Sequence, residues 1–244
     1  MHWSWMRLAA AGMGVSAVAA GYIVNVDRAT RQGQSLALVL ANYFSMFTIV
    51  STLLSAGALV AAATWARMHP ERTREPLGIA VALAATTGPV LLLGVVYNVL
   101  LRGVPSEVAA ADSAGIAMLD TYAVEVLHVI IPLYLLADLL FAGRRRGLPW
   151  WSLPVLTVYP LSWLLYTMVR GELVVDPSGA AAWWYPYPFL DPHGAGGWGS
   201  VLIYMAGIFA AFVAIGAGII AIGRFRERRA MRHETVVEAG VLHG

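Results

Sequence analysis

Apolar residues in this chain run in long uninterrupted blocks rather than alternating with polar ones. Six stretches, approximately 3–24, 36–66, 77–101, 116–142, 150–169 and 198–222, are dominated by Ala, Val, Leu, Ile and aromatic residues. Each exceeds the roughly 18 residues that a helix needs to cross a ~30 Å hydrocarbon core. The ~10-residue alternating segments of a membrane β-barrel are not seen. The pattern predicts an all-α polytopic membrane protein: a single bundle of six transmembrane helices over 1–223 and a basic tail over 224–244. The first span, with Arg7 ahead of an apolar stretch, has some look of a signal peptide, but its apolar part is longer than a signal core. A polar loop is expected at 27–34, and Thr86-Thr87-Gly88-Pro89 is expected to kink the third span. Ala206, Ala210, Ala214 and Gly218 form a small-residue stripe on the sixth, expected to pack against another helix.

Composition agrees. Of 244 residues, 59% are hydrophobic and 12% charged, against about 25% charged in a soluble domain; the mean hydropathy is +0.69. There is no cysteine, which removes disulfides, thiolate catalysis and cysteine-ligated metals. All 16 basic residues are Arg, and with the Ala and Gly richness this points to a GC-rich genome and a bacterial inner membrane. Twelve arginines (7, 67, 72, 74, 144–146, 224, 226, 228, 229 and 232) fall on one side of the six spans and four (28, 31, 102 and 170) on the other. The positive-inside rule then places both termini in the cytoplasm. The same distribution reads the pI near 9.0 as a membrane boundary in contact with anionic lipid, not as a nucleic-acid surface.

Within the apolar blocks, the fourth span is the exception. It carries Glu125 and His128, and ionisable side chains at that depth face a bundle interior or a wet cavity. Thr121, Glu125 and His128 are spaced by four and three and share a helix face. Pro132 cannot donate the helical hydrogen bond that the His128 carbonyl would receive. In the second span Ser45, Thr48, Thr52 and Ser55 form a hydroxyl stripe, a pattern that usually serves back-bonding or helix packing. His2, His69, His193, His233 and His243 lie in termini or loops. One in-span histidine argues against a bis-histidine haem, and no His/Glu pairing suggests a metal, so no cofactor is expected.

Depth links the two spans. Thr48 and His128 each lie 12 residues inside their helix starts, about 18 Å down at ~1.5 Å per residue. They stand at one level provided the spans are neighbours. A hydroxyl beside an imidazole is the pair that nucleophilic acyl transfer requires, with Glu125 a candidate third member. Oxyanion donors are not assigned by sequence; Asn42, Asn98 and Tyr166 are candidates. The loop at 183–199, WWYPYPFLDPHGAGGWG, reads as an interfacial aromatic belt, or as a lid or acyl-chain grip.

At these residues the chain resembles a known family. NYFSMFTIVSTLL (42–54), EVLHVIIPLYLLAD (125–138), VYPLSWLLYTMVRG (158–171) and WWYPYPFLD (183–191) are similar to the multi-pass family of the androgen-induced protein and the androgen-dependent TFPI-regulating protein, with its bacterial relatives. The resemblance implies an intramembrane threonine hydrolase of lipid esters, such as fatty acid esters of hydroxy fatty acids, with Thr48 as nucleophile and His128 as base. The animal members space the histidine one residue further from the following proline, and bacterial relatives often carry Asn where this chain has Thr52. The implied partners are a lipid ester substrate and membrane lipids. Two other readings remain open: a transporter or lipid carrier using Glu125 and His128 as a proton relay, and a structural membrane subunit with protein partners unknown.

Overall fold

The computed structural model describes residues 2–72, 74–103 and 107–241, with side chains throughout these stretches except at 100, 107, 108 and 230–241. All regular structure among the described residues is helical. The helices are α1 (His2–Arg31), α2 (Leu36–Ser45), α3 (Phe47–Met68), α4 (Leu77–Val96), α5 (Glu107–Ala110), α6 (Ala114–Glu125), α7 (Ile131–Phe141), α8 (Ser152–Gly171) and α9 (Gly197–Val241). Single π-turns at Tyr97–Leu101 and Val126–Ile130 extend α4 and join α6 to α7, and a 3₁₀ turn covers Pro188–Leu190. Six helical segments are long and apolar enough to cross a membrane, as expected of a multi-pass integral membrane protein.

α1 is the packing hub, lying against α3 and α6, while α4 contacts α3, α7, α8 and α9. Small residues permit this. A Cβ on Gly14 would stand 3.1 Å from Thr52 Cγ2, and one on Gly21 2.6 Å from the Tyr43 hydroxyl, which donates to the Val18 carbonyl at 2.7 Å. Ala17, Ala62 and Ala63 are fully buried. With lipid outside, close backbone approach and dispersion take over the role that water exclusion has in a soluble core.

One end of the bundle is basic and is locked by ions. Arg7 is only 2% exposed. Its Nε donates to Asp138 Oδ1 at 2.7 Å, Nη2 to Asp138 Oδ2 at 3.1 Å and Nη1 to Glu75 Oε1 at 2.5 Å. Trp3 Nε1 adds a bond to Asp138 Oδ1 at 2.6 Å, and Arg145 stands 3.4 Å from the same carboxylate. Burial pushes the Glu75 carboxyl up, and Arg7 and Arg145 oppose that shift. At the opposite end Arg28 binds Asp112 at 2.5 Å and Asp120 at 2.7 Å, and Arg31 also reaches Asp112.

Several expectations are corrected. The segment at 27–34 is mostly helix: α1 runs to Arg31, supported by an Asp27–Arg31 pair at 2.7 Å one turn apart. The second span is not one helix but two, broken at Met46. α4 carries Pro89 inside it, with no break in the helix, which leaves room for the expected bend there. α9 runs from Gly197 to Val241, so the basic stretch from 224 continues the helix of the sixth span. The stripe of Ala206, Ala210 and Ala214 is exposed; α9 instead approaches its neighbours at Gly216, 3.0 Å from Leu153 Cδ1, and at Gly223, 3.3 Å from Gly147 Cα, measured from a Cβ built there. His243 and the side chains of Arg232 and His233 lie outside the described residues.

Candidate functional site

The break at Met46 contains neither proline nor glycine, and side chains from elsewhere sustain it. Met46 adopts an extended conformation (φ −64°, ψ 136°). The Ser45 carbonyl, without a helical partner there, accepts from Trp163 Nε1 at 2.9 Å, while the Ser45 hydroxyl bonds back to the Asn42 carbonyl at 2.7 Å. Asn42 Oδ1 in turn accepts from Arg170 Nη2 at 2.6 Å. Asn42 and Ser45 therefore build the break. Tyr166 sits beside them, next to Arg170 and Trp184, outside the cavity described below.

The consequence of the break is positional. α3 restarts at Phe47, so Thr48 occupies its second residue, in the first turn of a helix that begins inside the bundle. The first intrahelical bond runs from Val50 N–H to the Met46 carbonyl at 3.1 Å, and no side chain of Met46 caps the turn. The N–H groups of Phe47, Thr48 and Ile49 thus have no intrahelical acceptor, and the helix dipole adds positive potential there.

Phe47 and Thr48 border a cavity of ≈ 90 Å³ whose wall also includes Tyr97, His128, Trp163, Tyr187 and Phe189. It brings Thr48 and His128 together, as their matched depth anticipates; no hydrogen bond joins their side chains. The rest of the wall is aliphatic and aromatic, with Leu92, Leu93, Leu161, Leu164, Ile208 and Phe209 among the residues, and no charged side chain lines it. Leu101, Leu161 and Phe209 in this wall are also among the exposed apolar side chains of the bundle.

His128 is held on two sides. Its Nδ1 lies 3.0 Å from the Val124 carbonyl, which can only accept, so Nδ1 carries the proton and Nε2 of the neutral ring keeps its lone pair. Its ring stacks on Tyr97, with centroids 4.2 Å apart and planes at 24°. The surrounding helix is a π-turn, Val126–Ile130, the kind of local widening that often marks functional sites. The carbonyl freed by Pro132 is used: Asn98 Nδ2 donates to His128 O at 3.0 Å and to Gly94 O at 2.7 Å.

Glu125 does not reach His128. Arg102 takes its carboxylate in two bonds, Nη1 to Oε1 at 2.8 Å and Nη2 to Oε2 at 3.0 Å, and this bonding raises the Arg102 pKa. The Val124 backbone occupies the orienting position for which sequence offered Glu125. Thr121 back-bonds to Ala117 and is exposed. In the hydroxyl stripe, Ser55 back-bonds to Ser51 and Thr52 packs against α1; Thr48 alone of the four lines the cavity.

The residue that sequence missed is Tyr187. The loop at 183–199 folds into the bundle, and Tyr187, Phe189 and Leu190 enter the cavity wall. Tyr187 packs 5.2 Å from Phe189 and 6.1 Å from Trp163, and Phe47 continues the cluster 4.8 Å from Trp163. Burial pushes the Tyr187 phenol up, partly offset by hydrogen bonding to its oxygen from the Thr48 side chain and backbone N–H. The aromatic run in the loop was the available signal, but the same run fits an interfacial belt. The loop is anchored beyond the cavity, where Trp183 stacks on His193 at 3.8 Å and Tyr185 donates to Glu172 Oε1 at 2.7 Å.

No family model matches this chain, and no curated protein or solved structure matches it either.

Proposed function

We propose that the protein is an intramembrane ester hydrolase in which Thr48 is the nucleophile and His128 the general base, acting on a lipid whose ester lies between apolar chains. The observation that carries the reading is the shared cavity. It holds a threonine in the first turn of a helix and a histidine whose Nδ1 is committed to a carbonyl, leaving Nε2 to accept a proton. An apolar wall, without charged side chains among the described residues, suits acyl chains. The sequence resemblance to the androgen-induced protein family names the same two residues.

In this scheme Thr48 Oγ1 attacks the ester carbonyl carbon and its proton passes to His128 Nε2, directly or through one water. The alcohol leaves with that proton, and the acyl group stays on Thr48. Water then attacks the acyl-threonine, gives a proton to Nε2, and the fatty acid departs as threonine regains its proton. The donors assigned to the carbonyl oxygen as it gains charge are the N–H groups at the start of α3 and the Tyr187 hydroxyl. By the arginine asymmetry the basic end faces the cytoplasm, and the site approaches the other leaflet. A proton relay through Glu125 has less support, because Arg102 holds that carboxylate.

The test is labelling with a fluorophosphonate probe, followed by peptide mapping, together with turnover of branched lipid esters. A Thr48 adduct is expected, with labelling and turnover lost in Thr48→Ala and turnover lost in His128→Ala. Full turnover in either variant sinks the pair.

A further inference from the structure

At the basic end, a second cavity lies where three spans finish: the start of α1, the end of α3 and the end of α7. Its volume is ≈ 480 Å³, and Trp3, Ser4, Arg7, Arg67, Arg144 and Gly143 line it with Ala66, Pro70 and Ala142. A water fills ~30 Å³ of liquid volume, so this space exceeds what hydration of Ser4 requires. Among the described residues no acidic side chain is in the lining.

The charges around it do not cancel. Arg7 is neutralised behind the wall by Asp138 and Glu75. Arg67 has no carboxylate partner among the described residues; its guanidinium lies 4.1 Å over the Trp5 ring. Among the described residues Arg144 binds carbonyls alone, those of Ala66 at 2.8 Å, His69 at 3.1 Å and Pro70 at 2.8 Å, which caps the C-terminal turn of α3 and gives its charge no carboxylate partner there. The Ser4 hydroxyl is half-buried and has no hydrogen-bond partner among the described residues. The nearest acid along the chain, Glu71, is exposed and stands 3.9 Å from Arg72. Two guanidiniums without a carboxylate partner among the described residues, a hydroxyl and the Trp3 indole therefore meet at the ends of three spans, the level at which headgroups lie if the spans cross a bilayer.

We propose that this cavity binds the phosphate of an anionic headgroup. Arg67 and Arg144 supply the charge, Ser4 a hydrogen bond and Trp3 part of the wall, while Trp5 holds the Arg67 guanidinium. Basic pockets between spans recognise headgroup phosphates in this way, and the planar guanidinium suits phosphate better than an ammonium would. The site is independent of the Thr48–His128 cavity and of any activity assigned to it.

The experiment uses the full chain in nanodiscs of phosphatidylcholine, alone or with increasing phosphatidylglycerol, reading the thermal midpoint and the lipid retained in native mass spectrometry. Two variants leave the helix cap intact. Arg67→Gln removes an exposed side chain held only by Trp5, and Gly143→Asp places a carboxylate in the lining where a Cβ meets nothing within 4 Å. Unchanged midpoints in pure phosphatidylcholine confirm that both fold. Phosphatidylglycerol is expected to raise the wild-type midpoint and be retained. Binding in Arg67→Gln is expected to be about fivefold weaker, the ~1 kcal/mol that one basic side chain contributes at an anionic surface, and weaker still in Gly143→Asp. Stabilisation by millimolar inorganic phosphate in pure phosphatidylcholine, lost in the same variants, supports the site with a soluble anion as its source. Equal phosphatidylglycerol retention in all three proteins overturns the proposal, leaving a diffuse basic surface.

Discussion

The side-chain amide of Asn98 donates to the carbonyl oxygen of His128 across 3.0 Å, repairing the bond that Pro132 removes from its own helix. The same amide binds Gly94 O at 2.7 Å. A Cβ on Gly94 would meet Pro132 Cβ at 2.9 Å and His128 O at 3.2 Å, so the two helices touch through this point. Asn98→Leu leaves the His128 carbonyl without this donor, while Gly94 O keeps the Tyr97 N–H, and an unsatisfied carbonyl costs about 1–3 kcal/mol when buried. The position is partly exposed, so a loss near the lower bound is expected in thermal unfolding. Turnover is expected to fall further than the folded fraction does, because the carbonyl belongs to the proposed base.

The buried ions at the basic end make a different prediction. Arg7 and Arg145 balance Glu75 and Asp138, and Arg7→Met leaves two carboxylates against one cation. Removing one partner of a buried ion network costs roughly 3–5 kcal/mol. The double change Arg7→Met, Glu75→Gln keeps Asp138 opposite Arg145 and is expected to recover most of that loss in detergent unfolding experiments. If the double variant is no more stable than Arg7→Met, the cost lies in packing rather than charge.

What sequence could not show follows from where the partners are. Hydropathy located six spans, and proline chemistry located a freed carbonyl, because both are local properties. Matched depth put Thr48 and His128 at one level, but that they line one cavity depends on which spans are neighbours, and the sequence does not show that. The break at Met46 has no local signal: Trp163, 118 residues after Ser45, stabilises it, and tertiary contact overrides helix propensity. The capture of Glu125 by Arg102 also depends on a contact across a turn of uncertain course in sequence. Tyr187 was hidden because an aromatic-rich loop has the same composition whether it lies on lipid headgroups or enters a bundle.

Acid is expected to loosen the loop that carries Tyr187. Hydrogen bonding from Tyr185, then contact with His193, holds the Glu172 carboxyl below its ordinary value. A depressed carboxyl contributes stability above its unfolded pKa of ~4.3 and loses it as pH falls through the lower folded value. The group is half exposed, so solvent screening keeps the contribution small. Glu172→Gln is expected to lower the thermal midpoint slightly at pH 7, with the gap from wild type closing below about pH 4. A gap that persists there assigns the effect to shape rather than charge.

The sharpest division between a structural and a chemical role concerns the Tyr187 hydroxyl. Tyr187→Phe keeps the ring, with its contacts to Phe189 and Trp163, and removes only the oxygen beside Thr48. If that oxygen merely caps the first turn of α3, the variant unfolds more easily and its turnover follows the folded fraction. If it donates to the developing oxyanion, the midpoint stays near wild type. In that case kcat is expected to fall about 10²-fold, in the range seen on removing one oxyanion donor. KM is expected to change little, because the bond strengthens only as negative charge appears on the carbonyl oxygen. Fluorophosphonate labelling of Thr48 is expected to slow in parallel, since the phosphonyl oxygen makes the same demand. Unaltered kcat with a lowered midpoint assigns Tyr187 to the helix cap alone.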